Sequence, residues 1–530
     1  MRDHDLTTLT AFATSPAPPP WKPKRGARET YAALQRQAKI QLDGKQSGTP
    51  TYELIGYREG LGLARLPAPS KGDIFLDFEG DAYVGASGLE YLLGYVCEDE
   101  TGAPVYRGLW ARNPVEEKQA FEAFIDFVLE RQKRYPDLHV YHYAPYEPSA
   151  LKRLMGRYVT REDELDALLR SECFVDLLSV VRNGVRASVE SYSIKKLEDF
   201  YGYKRKAALT DANRALTRVQ AALELGVTLA DLAEDCEVVE RYNEDDCRST
   251  LALRDWLETL RLELVAGGAP DTRPAPKSTE ASEKVTQRAA RERALVDALT
   301  AGLPVDPEAR SEAESAHWLL AQLVGWHRRE DKSSFHENYR LQALSPEELM
   351  DERCALAGLQ FETEIEAGPA PVHRYRFPPQ ETELREGDNV KAAGGGGFGS
   401  VRAISAAEHW IDIKKQKATA QTHVAAIYEF EHVDSESVAK AISRIGEHVA
   451  QHGLDSEAYA PARDLLLRRP PQPGSGVVRQ VSEALDAAAV RIIGDMIEGV
   501  LPIQGPPGAG KTFTGARMIA LCGNLEGEIA

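Results

Sequence analysis

Long apolar runs are what this chain most lacks: nowhere in its 530 residues do about 18 apolar positions follow one another, so no membrane-spanning segment is expected. Cysteine is scarce. The six (Cys97, Cys173, Cys236, Cys247, Cys354 and Cys522) form no C-x-x-C pair, which argues against a zinc site or a disulfide framework and suits a reducing cytoplasm. Positive charge is short as well, with 64 Lys and Arg against 82 Asp and Glu and a net charge of −18. Indiscriminate coating of nucleic acid rests on phosphate neutralisation, so any phosphate contact must be local. The opening Met1-Arg2-Asp3-His4-Asp5 leads into Thr-rich and Pro-rich sequence without an apolar core, so no signal peptide is expected and the predicted location is cytoplasmic. With 43% hydrophobic residues the chain still has material for several cores.

Carboxylate is abundant, and three acidic clusters stand out by their context. Asp77-x-Glu79 ends the apolar strand pattern Ile74-Phe75-Leu76, so the two acids project from one face. The same spacing at Asp235/Glu237, Asp306/Glu308, Asp434/Glu436 and Asp455/Glu457 lies in polar sequence. Only the copy at Asp77 is followed by a second strand pattern, Leu89 to Val96. Glu147 follows the strand Leu138 to Tyr143 at a turn into a helix. Tyr242-x-x-x-Asp246 lies in a helical pattern from about Val238 to Leu260, where i and i+4 share a face. Asp245 points about 100° away from Asp246 on a regular helix and is read as a solvated acid. Phosphodiester cleavage builds charge on the attacking and leaving oxygens, and two divalent ions roughly 4 Å apart stabilise both. Mg²⁺ or Mn²⁺ would take such oxygen ligands.

The segment Tyr141 to Leu151 resembles the second motif of DEDD exonucleases of the ribonuclease H-like fold, with His142, Ala144, Tyr146 and Leu151 on the family's positions. Glu147 stands where that family has aspartate, and Tyr242-x-x-x-Asp246 matches its tyrosine variant. The resemblance implies that Asp77, Glu79, Glu147 and Asp246 hold two Mg²⁺ or Mn²⁺ ions. Tyr242 would orient the attacking water, with hydrolysis from the 3′ end of single-stranded DNA or RNA. Asp176 is read either as a further acid of the site or as a strand-end cap. Candidate local basic patches are Arg153/Arg157, Lys195/Lys196 and Lys204/Arg205/Lys206, each weighed against an ordinary solvated face.

Residues 1–70 read as a linker arm with one helix, Glu29 to Leu42. Residues 71–262 read as an α/β ribonuclease H-like domain, a mixed sheet with flanking helices that include Val115 to Lys133, and with a strand at Cys173 to Leu178. Residues 263–282 read as a linker, rich in Gly, Pro, Thr and Ser from Ala266. A helical region follows over 283–360, with a capping box Ser311-x-x-Glu314 and His317, Trp318, Trp326 and His327 expected in the core. A small β-rich domain is expected over 361–470. Its Gly394 to Gly399 fits G-x-G-x-x-G by letters, but a strand pattern follows it, so a hairpin loop is expected.

Residues 471–530 read as the start of a P-loop domain. Gly505-Pro506-Pro507-Gly508-Ala509-Gly510-Lys511-Thr512 follows the apolar run Val500 to Ile503, read as a strand, and precedes a helix pattern. The glycines would let backbone N–H groups cradle phosphates, with Lys511 on the terminal phosphates and the Thr512 hydroxyl on Mg²⁺; ATP is the expected ligand. The wording resembles superfamily-one helicases. The order of parts resembles the bacterial RecB-like nuclease family with a YprB-type ribonuclease H-like domain and a C-terminal helicase. Since only 18 residues follow Thr512, the expectation is a truncated member with an incomplete motor. Two alternatives stay open: a catalytically inactive ribonuclease H-like module that binds nucleic acid, and an ATP-dependent helicase fragment.

Overall fold

The computed structural model describes residues 4–21, 28–206, 208–275, 283–304, 309–346, 348–432, 434–456, 458–476 and 478–529. The chain forms two compact units, Met1–Glu280 with Tyr339–Phe430, and Ala281–Asn338 with Glu431–Ala530. The regions read from sequence as 283–360 and 361–470 are therefore each divided between the units.

The first unit opens with α1 (Leu9–Ala13), α2 (Arg28–Ser47) and β1 (Tyr52–Leu54). A five-stranded sheet follows, built from β2 (Ile74–Asp81), β3 (Leu89–Glu98), β4 (Pro104–Trp110), β5 (Val140–His142) and β6 (Phe174–Asp176). Its order is β4-β3-β2-β5-β6; β2, β3 and β4 run antiparallel, and β5 and β6 join parallel to β2. This is the mixed sheet expected of the α/β region. The helices are α3 (Pro114–Arg134), α4 (Tyr146–Tyr158), α5 (Glu162–Arg170), α6 (Leu177–Gly184), α7 (Ile194–Tyr201), α8 (Leu209–Glu224) and the 34-residue α9 (Ala233–Ala266), with β7 (Val185–Ala187) after α6.

Local chemistry sets these bounds. Asn113 caps α3, its side chain accepting from Val115 N and Glu116 N at 3.0 Å, and Pro114 opens the first turn. The strand read as Cys173 to Leu178 stops at Asp176, whose carboxylate caps α6 by accepting from Leu178 N at 2.9 Å. Alternation along β2 sends Ile74, Leu76 and Phe78 into one core, with Phe121, Phe124 and Ile125 of α3 and Leu151 and Leu154 of α4. Phe75 faces the other core, with Leu197 of α7 and Cys247, Leu253 and Leu257 of α9. Each such fully buried side chain contributes about 1.5–3 kcal/mol.

The N-terminal arm is no free linker. β1 pairs antiparallel with β7, Gln37 and Gln41 donate to Ala187 O and Val189 O at 2.9 and 2.6 Å, and Leu63 and Leu66 enter the second core. The expected linker begins inside α9. Its next described residues also pack back: Arg261 pairs with Asp271, and Arg273 binds Glu258 and the carbonyl of Pro67. Residues 276–282 of that linker lie outside the described residues.

The helical reading to about Gly358 ends early. A 3₁₀ turn at Glu348–Asp351 leads into β8 (Ala355–Ala357). It joins β9 (Gln360–Glu366), β10 (Val372–Arg376), β11 (Asn389–Ala392), β12 (Gly397–Ser405), β13 (Trp410–Lys415) and β14 (Ala426–Glu429) in an antiparallel sheet of order β8-β14-β11-β12-β13-β10-β9. Gly394, Gly395 and Gly396, all with positive φ, form the β11–β12 hairpin connection.

In the second unit α10 (Glu283–Thr300) and α11 (Glu312–Val324) bury Leu299, Leu320 and Val324. The division between the units falls within α12 (Trp326–Ala343), and α13 (Glu436–His452) adds Val449 to the same core. Ser311 and Glu314 form the capping box. Trp318 and Trp326 are not core residues: they are 39% and 45% exposed. α11 buries the stripe of Ala316, Leu320 and Val324 instead, and Arg310 lies 5.0 Å over the Trp318 ring. The unit continues through α14 (Ala460–Leu466), β15 (Gln472–Pro473), α15 (Leu485–Asp495), β16 (Met496–Glu498) and α16 (Lys511–Ile529). β16 pairs with β15, and residues 500–503, read as a strand, have no strand conformation.

Candidate metal centre

Buried positions recur along α9 every three or four residues: Val239, Tyr242 and Asn243, Asp246 and Cys247, Thr250, Leu253, Leu257 and Leu260. The stripe is apolar over its C-terminal half and polar between Tyr242 and Asp246. That polar stretch lies against β2, on the face bearing Asp77 and Glu79. One carboxylate oxygen each of Asp77, Glu79 and Asp246 all lie within 4.8 Å of one another.

Packing three acids there is unfavourable without a counter-ion. Burial, then Asp246, Glu79 and Glu147, push the Asp77 carboxyl well above its ordinary range, while Lys195 opposes them. Burial and then Asp246 push Glu79 up to about 8. Asp77 and Glu79, oxygen donors pushed toward the protonated form by burial and acidic neighbours, fit a hard divalent cation.

Glu147 opens α4 beside this group rather than within it. It is buried, and burial first, with Asp176, Glu90 and Asp246 adding, pushes its carboxyl up to about 8. Its Oε2 has no hydrogen-bond partner among the described residues and stands 3.6 Å from His142 Nδ1. His142 is held neutral by burial, and Nδ1 lies 2.6 Å from Ala144 O, so it donates there. An orphaned buried carboxylate oxygen fits a further ligand of the same centre. Ala144 has φ +73°, a strained value for alanine, and its N–H donates to Asp176 Oδ1 at 2.9 Å. Of its two readings, Asp176 therefore fits the cap: it fixes the turn that aims Glu147.

Asn243 positions Asp77. Its Nδ2 donates to Asp77 Oδ2 at 2.9 Å and to Asp77 O at 3.1 Å, while its Oδ1 accepts from the Tyr106 hydroxyl at 2.9 Å. Gly94 pairs with Asp77 across β2 and β3, and a Cβ there would overlap Asn243 Oδ1. Nothing in the sequence pattern marks Asn243 beyond its place between Tyr242 and Asp246. Gly94→Ala is expected to lower stability by about 1–3 kcal/mol and metal-dependent activity about tenfold. An alanine variant with unchanged melting and cleavage would show that α9 withdraws without disturbing Asp77.

Cations ring the other side. Lys195 Nζ donates to the Tyr242 hydroxyl and lies 4.7 Å from its ring centroid. Arg205 Nη2 binds Asp246 Oδ1 at 2.5 Å and Glu198 Oε1 at 2.7 Å. Burial, then Asp246 and Glu79, raise the Tyr242 hydroxyl, so it stays protonated. Of the basic patches, Arg153 and Arg157 pair with Glu90 and Glu117 of the protein itself. Asp245 is not solvated. It is fully buried, accepting from the Tyr203 hydroxyl at 2.8 Å and Lys206 N at 2.9 Å, because the segment after α7 folds back over that side of α9.

Far along the chain, Lys511 Nζ donates to Gly505 O and Pro506 O at 2.7 and 2.8 Å, and Gly508 and Gly510 have φ near +80°. Gly505, Gly508 and Gly510 thus lie in one loop that leads into Lys511 and Thr512, the first residues of α16.

The sheet order and the acid pair on its central strand define a ribonuclease H-like domain. Residues 74–258, from β2 into α9, match the family model described as RNase_H superfamily. No curated protein matches the chain. Among the described residues no helix is long and apolar enough to cross a membrane.

Proposed function

We propose that residues 71–262 are a metal-dependent 3′–5′ exonuclease module acting on a single-stranded end of DNA or RNA. The reading is carried by the approach of Asp77, Glu79 and Asp246 to within 4.8 Å, with Tyr242 one turn before Asp246. Asp77, Glu79, Asp246 and Glu147 would hold two Mg²⁺ or Mn²⁺ ions, which when bound supply charge stabilisation to the attacking and leaving oxygens. The protein's own groups do the positioning. Lys195 occupies one lone pair of the Tyr242 hydroxyl, leaving its proton and the other lone pair to orient the attacking water. The water oxygen bonds to phosphorus and gives up one proton to solvent, the bond to the 3′ oxygen breaks, and that oxygen takes up a proton from solvent as a nucleoside 5′-monophosphate leaves.

End-labelled DNA and RNA oligonucleotides incubated with Mg²⁺, Mn²⁺ or a chelator test this. A ladder shortened from the 3′ end in metal alone is expected. Tyr242→Phe is expected to lower kcat about 10–100-fold while KM stays within about threefold. Glu147 favours one rival, an inactive nucleic-acid-binding module, since its carboxyl lies toward His142 outside the closest acid group. Salt-sensitive binding with no product in Mn²⁺ is the outcome that would replace the nuclease reading.

The loop Gly505 to Thr512 we read as a nucleotide-phosphate site, with ATP as ligand and a helicase family as its context. Its support is the co-location of Lys511 and Thr512 at the start of a helix, where backbone N–H groups and the helix dipole favour phosphate.

A further inference from the structure

Arg205 carries an incomplete set of bonds at the edge of the acid cluster. Its side chain is 8% exposed. The Nε and Nη2 edge of the guanidinium grips Glu198, with Nε at 2.9 and 3.0 Å from the two carboxylate oxygens and Nη2 at 2.7 Å from Oε1. Glu198 is buried and is held in turn by Ser249 Oγ, which donates to it at 2.9 Å; Ser249 also contacts the Tyr201 hydroxyl at 2.8 Å. With that edge committed, the remaining end of the planar fork is formed by Nη2 and Nη1. Nη2 reaches Asp246 Oδ1 at 2.5 Å; Nη1 is buried and has no hydrogen-bond partner among the described residues.

A guanidinium gripped firmly along one edge, with its other end directed at Asp246 and one donor unsatisfied, is poorly explained as a structural ion pair. A buried donor left unpaired is unfavourable, and Asp246 uses only one of the two teeth. When Asp246 turns to a divalent cation, Nη2 is released beside the already unpaired Nη1, and both stay aimed by Glu198. Two parallel N–H donors match the spacing of two oxygens on one phosphate.

We propose that Arg205 is the phosphate-binding residue of this site, taking two non-bridging oxygens of the nucleotide's phosphate through Nη1 and Nη2 while Glu198 and Ser249 hold it in place. In the metal-free protein Asp246 occupies Nη2 in the phosphate's stead. Cation binding at Asp246 and phosphate binding at Arg205 are therefore coupled: the first exposes the second. The inference rests on the reading of the substrate as a phosphodiester, but it is tested by binding, without turnover.

The experiment measures the affinity of the full chain for thymidine 5′-monophosphate, inorganic phosphate and uncharged thymidine, each with and without Mn²⁺, and the affinity for Mn²⁺ alone. Wild type is expected to bind the monophosphate at least about tenfold more tightly with Mn²⁺ than without, and inorganic phosphate in the same direction. Arg205→Gln is expected to weaken monophosphate binding about 10–100-fold, leaving thymidine affinity within about threefold and Mn²⁺ affinity unchanged or tighter, since Asp246 is then free for the ion. Arg205→Lys keeps the charge but loses the fork; it is expected to weaken the monophosphate about fivefold or more, and it carries the test if the Gln variant does not fold. Equal monophosphate binding by wild type and Arg205→Lys would overturn the proposal. So would a wild type that does not distinguish monophosphate from thymidine, or an Arg205→Gln variant that loses Mn²⁺ affinity as steeply as monophosphate affinity. Failure of the nuclease reading shows separately, as wild type that gives no shortened products in Mn²⁺.

Discussion

Asp77→Asn is expected to abolish metal-dependent cleavage and, in the same protein, to make the metal-free state harder to unfold. The first effect follows from losing one of three clustered carboxylates: Asp77 lies within 4.8 Å of Glu79 on its own strand and of Asp246 on α9, and a neutral amide is a weaker ligand for a hard cation than a carboxylate. A loss of about a thousandfold or more in kcat/KM, about 4 kcal/mol in transition-state stabilisation, is the scale expected. The second effect follows from the cause of the Asp77 shift, burial first and then its acidic neighbours. Asparagine has nearly the same shape and removes that charge, and its carbonyl oxygen can still accept from Asn243 Nδ2. A gain on the order of 1–2 kcal/mol, or a few degrees in melting temperature, is expected with chelator present. The gain should vanish or reverse in Mn²⁺, since wild type alone then has a strong site. A variant that is inactive and also less stable in chelator would mark Asp77 as a structural residue, and undiminished cleavage would remove it from the site.

The part of this site that was legible in the sequence is the part fixed by short-range periodicity. Alternation along Ile74 to Glu79 already puts Ile74, Leu76 and Phe78 on one face and the two acids, with Phe75, on the other, and helical spacing already puts Tyr242 and Asp246 on one face. Turn chemistry around Ala144 and Pro145 places Glu147 at the start of a helix, as the structure has it. The same reasoning stops where the answer depends on what packs from far away. Helix angle separates Asp245 from Asp246 correctly, but it cannot say that Tyr203 and Lys206 return to bury it. Lys195 and Arg205 read either as local basic patches or as ordinary solvated faces, and neither reading tells that the fold brings α7 and the segment after it against Tyr242 and Asp246. Trp318 shows the opposite error: a large apolar ring predicts burial, but the adjacent stripe of Ala316, Leu320 and Val324 is what faces the core. The apolar run before Gly505 has strand-like letters, and the short pairing in that region instead joins Met496–Glu498 to Gln472–Pro473. A strand pattern states that a segment can pair, while the partner is decided elsewhere in the chain.

Divalent-cation affinity is expected to rise steeply with pH up to about 8, and the stability of the metal-free protein to fall over the same interval. Glu79 and Glu147 are both pushed up to about 8, chiefly by burial. In the unfolded chain these carboxyls titrate near 4.3. Between those limits the folded state holds protons that the unfolded state has released, so stability falls as pH rises; it is fully present below the unfolded value and lost through about 8. A ligand that needs both carboxylates ionised must displace those protons, so its apparent affinity gains up to about one decade per pH unit for each group still protonated. From pH 6 to 8 the Mn²⁺ dissociation constant should tighten by about 100-fold or more, with net proton release in calorimetry that changes with the ionisation enthalpy of the buffer. Melting of the metal-free protein should lose several kcal/mol between pH 5 and 8, about 1.4 kcal/mol per pH unit for each carboxyl still protonated, and saturating Mn²⁺ should flatten or invert that slope. Glu79→Gln separates the contributions: it should remove about one decade of the pH dependence of binding while also weakening binding itself. A Mn²⁺ affinity flat from pH 6 to 8 would mean that the acids are already ionised when the ion arrives. The site would then be neutralised by Lys195 and Arg205 rather than by protons, and the competition for Asp246 would be between cations alone.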